Sequence, residues 1–276
     1  MIVLHIIKGL GLAGAENHLI TLLAGLRAQG IDARLLLWVS PSRQAEDVVA
    51  AAESAGIPVE RWIMPRHLAP GFFLKLLRYL RREKPDIVHT HLVHAETYAI
   101  PVAYLARIRY VVNSSHNDDP FRRHPVFRVR SWILWRMTTY GIAISHHIKR
   151  FLVEIEGARE NQVEVIHYGY EAIESSPSES LGDLHEMLNL PPETRILGSV
   201  CRLVPQKGIR FAIDAMSMLA PDYPTLHYVI VGDGLLRDEL ETQVKNANLT
   251  DRVHFLGWHT DVHNLMAHFD IFLAPS

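Results

Sequence analysis

Short apolar runs rich in β-branched residues alternate along the chain with segments whose apolar positions recur every three or four residues. The runs predict strands over Ile2–Ile7, Ala33–Val39, Val59–Ile63, Ile87–Thr90, Tyr110–Ser115, Gly141–Ser145 and Val163–Ile166. Helical patterns lie between them. Over Glu16–Gln29, residues Leu19, Leu22, Leu23 and Leu26 share one face, and Gly30 stands where such a helix would be capped. A helix over 71–83 ends before Pro85. Strands alternating with helices predict an α/β protein whose parallel, doubly wound sheet is covered on both faces.

The pattern breaks at "EAIESSPSESLGD", residues 171–183, where Ser, Glu and Pro displace the apolar runs. Such a stretch reads as an exposed connector. A second βα series follows: "ILGSVCRL", a helix over 208–219, "LHYVIVGDG", a helix over 235–246, "RVHFLG", a helix over 261–268, and "DIFLAPS". The predicted division is a first Rossmann-like domain over 1–175, a linker over 176–194 and a second, incomplete one over 195–276. The series stops at Ser276 after a fourth strand, without a closing helix, which predicts a truncated chain or fragment.

Composition narrows the function. The 276 residues are 48% hydrophobic and 21% charged, ordinary for a soluble globular protein and enough for two domains. A formal net charge of -2 provides no global basic field for nucleic acid. The single cysteine, Cys201, excludes an internal disulfide and any CxxC site, and fits a reducing, cytoplasmic setting. "MIVLHIIKGLG" reaches glycine too soon for a secretion signal, and no apolar stretch approaches the ~20 residues that span a bilayer. The expected protein is soluble, or lies at most on a membrane surface.

Two loops carry candidate chemistry. Gly9, Gly11 and Gly14 spell G-x-G-x-x-G between the first strand and the first helix. A dinucleotide site also needs an acidic residue at the end of the second strand. That strand ends at Val39-Ser40-Pro41, and the first nearby carboxylate, Glu46, already belongs to the next helix. Three readings stay open at this point: a dinucleotide loop, a plain glycine turn, and a loop facing another phosphate ligand. In the second series, "VCRLVPQKGIRFAIDA" places Arg202 at a strand end and Lys207 just before Gly208 and a helix start. Two cations beside a helix N-terminus suit a diphosphate held without a metal.

The succession of motifs resembles glycosyltransferase family 4. The resemblance rests on Arg202–Gly208, Gly232–Gly234, Phe255–Gly257, Asp261-Val262 and Asp270–Ser276 in the second half. In the first half it rests on Gly11–Glu16, "KPDIVHTH", "SSHN" at 114–117, "AIS" at 143–145 and "VEVIHYG" at 163–169. It spans essentially the whole chain. Two departures stand out: Ala13-Gly14 where the family often has Gly-Gly, and His167-Tyr168-Gly169 where it often has Pro-Asn-Gly.

The resemblance implies a GT-B fold of two facing Rossmann-like domains, the first on the acceptor side and the second binding a nucleotide sugar. It implies a retaining transfer from a nucleoside-diphosphate sugar to a glycan, lipid-linked or small-molecule acceptor, as in polysaccharide biosynthesis, with no cofactor and no metal. Arg202 and Lys207 would then stabilise the departing diphosphate, and His116 would contact the donor sugar or acceptor. The opening loop would face the cleft, with Gly14 and Glu16 toward the donor and Gly11 and Ala13 toward the acceptor. Gly257 and Trp258 would border the nucleotide base. Glu16 also heads the first helix, where the dipole favours a carboxylate whether or not it meets substrate.

His89 and His91 alternate in "VHTHLVH" and should share a strand face near His94; no acid or cysteine accompanies them at zinc-ligand spacing, and no metal is expected. The Glu-Gly segment and Glu-x7-Glu pair with which the family follows its "PS" are absent before Ser276, so this stretch alone is expected to lack donor anchoring and to be inactive by itself. A nucleotide-sugar-binding module without catalysis and a sugar-nucleotide epimerase are the competing classes; epimerases lack the Arg202/Lys207 arrangement in this order. Finally, "FRRHPVFRVRSWILWR", 121–136, carries five arginines and no acid, and 71–84 adds Lys75, Arg78, Arg81, Arg82 and Lys84. Basic residues mixed with aromatics suit an anionic membrane surface at the inner face of the membrane, or else a packed helix with a solvated basic face.

Overall fold

The computed structural model describes residues 1–9, 11–64, 70–169, 184–259 and 261–276. The chain divides into two compact units, Met1–Glu171 and Ala172–Ser276. The connector expected at 171–183 lies outside the described residues. Residues 184–194, expected as linker, pack with the second unit: Leu184 is buried, with Leu188 and Leu190 against the same cluster.

In the first unit the order is β1 (Ile2–Lys8), α1 (Gly14–Ala28), β2 (Asp32–Val39), α2 (Glu46–Ser54), β3 (Val59–Ile63), α3 (Pro70–Glu83), β4 (Ile87–His91), α4 (Leu92–Leu105), β5 (Tyr110–Ser115), α5 (Pro125–Met137), β6 (Tyr140–Ala143), α6 (His146–Glu154) and β7 (Val163–Val165). The strands form one parallel sheet in the order β3-β2-β1-β4-β5-β6-β7. Strand order reverses between β1 and β4, the position at which doubly wound sheets hold ligands beyond their carboxyl edge.

Both sheet faces are buried, which explains the near-continuous apolar runs. Leu4, Ile6, Leu36, Trp38 and Val88 pack under α3 and α4 through Phe72, Leu76, Leu80 and Ala99. On the other face Ile7, Leu35, Leu37 and Val39 meet Leu19 and Leu23 of α1 and Val48 and Ala52 of α2. The strand expected over Gly141–Ser145 ends earlier, at Ala143. Ser145 instead caps α6, its hydroxyl accepting the Ile148 N–H at 3.2 Å.

Within the segment 121–136 one of the five arginines turns inward. Arg122, in the 3₁₀ turn Pro120–Arg123, is 1% exposed. Its guanidinium donates to Glu156 at 2.6 Å and to Glu96 at 3.2 Å, and both carboxylates are themselves buried. Arg130 also reaches Glu96, at 3.2 Å, and the Trp135 indole N–H donates to Glu156 at 3.3 Å. The run from β5 to α5 is thus pinned to α4 and to the residues after α6.

The second unit contains α7 (Leu184–Met187), β8 (Arg195–Val200), α8 (Ile209–Leu219), β9 (Leu226–Val231), α9 (Arg237–Asn246), β10 (Val253–Gly257), α10 (Val262–Ala267) and β11 (Ile271–Phe272). Its parallel sheet has the order β10-β9-β8-β11, so the reversal falls between β8 and β11. Ile209, Ile213 and Met216 of α8 pack on Tyr228 and Ile230, while Leu184 and Leu265 cover Ile196 and Val229. Asp270 fastens β11 to β8 by accepting the Ile196 N–H at 2.8 Å and pairing with Arg195 at 2.6 Å.

Candidate functional site

Each unit gathers its candidate residues at the carboxyl edge of its own sheet. In the second unit, Arg202 and Lys207 lie in the loop that leaves β8 at the strand-order reversal. Residues Pro205–Lys207 form one 3₁₀ turn, and Gly208, at φ +62, turns the chain into α8. A side chain at Gly208 would run into the Pro275 carbonyl, so the loops after β8 and β11 touch there. Gly232, at φ +128, abuts the Cys201 carbonyl, and its N–H donates to the Gly257 carbonyl at 2.6 Å. Three strand-end loops therefore converge on the Arg202–Lys207 turn. Arg202 is exposed, Lys207 half-buried, and neither has an ion-pair partner among the described residues. Two uncompensated cations beside the start of an eleven-residue helix form a ready anion site. Gly257, at φ +77, closes β10, and Trp258 after it is 75% exposed rather than packed.

In the first unit, the opening loop differs from a dinucleotide cradle in a specific way. Asp47 of α2 accepts the Leu12 N–H at 2.7 Å, so an acid the sequence reading passed over closes the turn. A side chain at Gly11 would also meet that carboxylate, at 3.3 Å. One loop amide is thus already used, and a negative charge stands beside the rest, which disfavours a diphosphate there. Ala13 caps α1 without a side-chain hydrogen bond, and Gly14 begins the helix with open space around it. Glu16 is buried in the first turn, close to Gly9.

His116 follows β5, as expected, and joins a cluster of which the sequence predicts only the pairing of His89 and His91. His5 of β1 and His89 of β4 are register partners across the reversal, and His91 shares their face. His5 Nδ1 lies 3.1 Å from His91 Nε2, and His91 Nδ1 lies 3.2 Å from His116 Nε2. His116 Nδ1 is hydrogen-bonded to the Tyr168 hydroxyl, and His89 Nε2 lies 2.8 Å from Ser114 Oγ. The Tyr168 ring stacks on His18 of α1 at 3.9 Å and 14°. Thus α1, which carries Gly14 and Glu16, meets His116 through His18 and Tyr168. His94, expected near His89 and His91, points outward from α4, while His5 takes that place.

Burial keeps these imidazoles neutral. It lowers His5 to about 3, with His18 adding to the effect, and His116 to about 4, again with His18 second. His89 and His91 are pushed well below the ordinary histidine range, burial first and neighbouring histidines after. The sign for stability follows directly. Below an unfolded value near 6.5 the unfolded chain takes up protons that the folded cluster refuses, so stability is complete above that pH and falls toward pH ~4. Each such histidine contributes up to about 1.4 kcal/mol per pH unit. The urea midpoint of unfolding is expected to be clearly lower at pH 5 than at pH 7. Equal midpoints would mean that the cluster is hydrated.

Comparison with known proteins agrees with this architecture. The model of Glycosyltransferase Family 4 matches residues 12–172, and that of Glycosyl transferases group 1 matches residues 183–276. An Escherichia coli UDP-Gal:alpha-D-GlcNAc-diphosphoundecaprenol alpha-1,3-galactosyltransferase is 29% identical over 212 residues, covering 74% of this chain and 55% of that protein. A 2-deoxystreptamine glucosyltransferase of Streptomyces kanamyceticus is 30% identical over 161 residues, 56% of this chain and 41% of its own. The chain spans about half the length of the curated relatives it matches. Anabaena Alr3699/HepE, solved in complex with UDP, has a TM-score of 0.79 at 24% identity, covering 100% of this chain and 74% of its own. A glycosyltransferase from Rickettsia africae has a TM-score of 0.75 at 18% identity, covering 99% and 72%. These likenesses identify the two parallel sheets as Rossmann-like units of the GT-B class. With the first model accounting for more than half of the chain and the second for most of the remainder, the chain belongs to glycosyltransferase family 4.

Proposed function

We propose that this chain serves the transfer of a sugar from a nucleoside-diphosphate donor, with retention of anomeric configuration, to a lipid-linked acceptor at the inner face of a membrane. The observation that carries the reading is the β8–α8 turn, where Arg202 and Lys207 stand at the strand-order reversal without ion-pair partners among the described residues. Charge builds on the diphosphate as the anomeric C–O bond breaks, so fixed cations stabilise that state more than the ground state. In the first unit, the cluster of which His116 is part meets the sugar or acceptor, with Gly11, Ala13, Gly14 and Glu16 of the opening segment at the same carboxyl edge. Gly257 and Trp258 border the base. The E. coli relative is named for a UDP-galactose donor and a diphosphoundecaprenol acceptor, and the Anabaena neighbour was solved with UDP and with UDP-glucose. Calorimetric titration with UDP, GDP and ADP tests the donor, and NMR of the product's anomeric proton tests retention. Binding of a diphosphate with no turnover would favour a non-catalytic module.

The lipid-linked acceptor draws support from α5. No helix among the described residues is long and apolar enough to cross a membrane. Yet Val126, Val129, Trp132 and Ile133 are exposed on α5, with Phe121 just before it. Arg123, Arg128 and Arg136 flank them, the Arg136 guanidinium lying 3.2 Å from the Trp132 ring centroid. Apolar side chains ringed by cations suit an anionic bilayer surface. Sedimentation with vesicles containing phosphatidylglycerol is expected to exceed that with phosphatidylcholine alone, and Trp132→Asp with Arg128→Glu to remove the difference. Equal sedimentation on both vesicles would leave α5 as a solvated face.

A further inference from the structure

The imidazole of His116 has no nitrogen to spare: Nδ1 engages the Tyr168 hydroxyl, and Nε2 lies 3.2 Å from His91. The chain continues from His91 to His5 at 3.1 Å and stops there, because His5 Nε2 is buried without a hydrogen-bond partner among the described residues. A neutral imidazole carries one N–H and one lone pair. The four groups must therefore all be polarised the same way. Polarised inward, from the Tyr168 O–H toward His5, the chain ends in a buried N–H with no acceptor. Polarised outward, it ends in a buried lone pair with no donor. Orphaned buried N–H groups are the rarer and costlier of the two. Outward polarity is favoured: His5 Nδ1–H donates to His91, His91 Nδ1–H to His116, and His116 Nδ1–H to the Tyr168 oxygen. The Tyr168 proton then points away from the chain.

We infer that Tyr168, rather than His116, presents the hydrogen-bond donor to a sugar hydroxyl of the substrate, with His116, His91 and His5 as positioning residues that fix its direction. The inference deepens the transferase reading and rests on it. Tyr168 is half-buried, and its ring is held by the stack on His18. Burial, helped by Glu16, lifts its hydroxyl to about 12, so it remains a donor at neutral pH. It also occupies the middle of His167-Tyr168-Gly169, where this chain departs from the family pattern. The same histidines permit a different occupant, since ligand atoms of His5, His89 and His91 lie within 4.8 Å of one another. His91 already uses both nitrogens in the chain of hydrogen bonds, and no acid joins the cluster among the described residues, so the relay is preferred to a metal.

Imidazole ¹⁵N NMR on the labelled protein reads the polarity without any substrate. His116 and His91 are expected protonated at Nδ1 and bare at Nε2; the reverse pattern overturns the inference. Tyr168→Phe keeps the stacked ring and removes the hydroxyl. It is expected to lower kcat/KM by about 10- to 100-fold while leaving UDP affinity unchanged. Unchanged or raised turnover would show that Tyr168 merely occludes a directly acting His116, and would overturn it. Binding of one Co²⁺ per chain with tetrahedral visible bands would overturn it as well, by assigning the cluster to a metal. A wild-type protein that binds no nucleoside diphosphate would instead sink the transferase reading, leaving the NMR result to stand alone.

Discussion

Lys207→Ala is expected to lower the rate of sugar transfer by about 10²–10³, the usual loss when one fixed charge is withdrawn from a developing anion. Arg202→Ala should fall in the same range. Neither change should harm the fold, because Arg202 is exposed, Lys207 is half-buried, and neither anchors an ion pair among the described residues. Circular dichroism and Tm should therefore match the parent protein. Lys207→Arg should recover only part of the rate, since a planar fork does not replace a compact ammonium beside a helix start. Full turnover in both alanine variants would remove these residues from the mechanism.

The second large effect concerns stability. Arg122→Ala would leave Glu96 and Glu156 buried and short of their shared partner. Breaking a buried pair from one side costs about 3–5 kcal/mol, a large share of the ~5–15 kcal/mol that holds a domain together. For a unit of this size that corresponds to a fall in Tm of roughly 6–20 °C. Adding Glu96→Gln and Glu156→Gln should recover much of the loss, because no bare charge then stays inside. Calorimetry would read both. An unaltered Tm in the single variant would mean that the carboxylates are hydrated.

The contrast between these two predictions marks what was legible in the sequence. Strands buried on both faces announce themselves as apolar runs, so the bounds of β1, β2, β4 and β5 are legible to within one residue. Arg202 and Lys207 were legible because they lie five residues apart around one helix start. Arg122 was not: a run of five arginines gives no local sign of which one turns inward, since its partners stand on α4 and beyond α6. The histidine cluster was half visible. The alternation of His89 and His91 predicted a shared face, but only strand order brings His5 beside them. Tyr168 registered as a departure from a motif, with nothing nearby to indicate that it would reach a histidine 52 residues away. Asp47 is hidden because a dinucleotide motif places its acid at the end of the second strand, whereas this loop is closed from the next helix.

The strand order also bears on synthesis. β1 leaves the ribosome before the other strands of its sheet, yet one of its two neighbours, β4, is translated some 80 residues later. At 5–20 residues per second the gap is about 4–16 s, during which an apolar strand emerges with one flank bare. Residues 2–8 are thus the strand of this sheet that waits longest for its second partner, and the one most in need of a chaperone meanwhile.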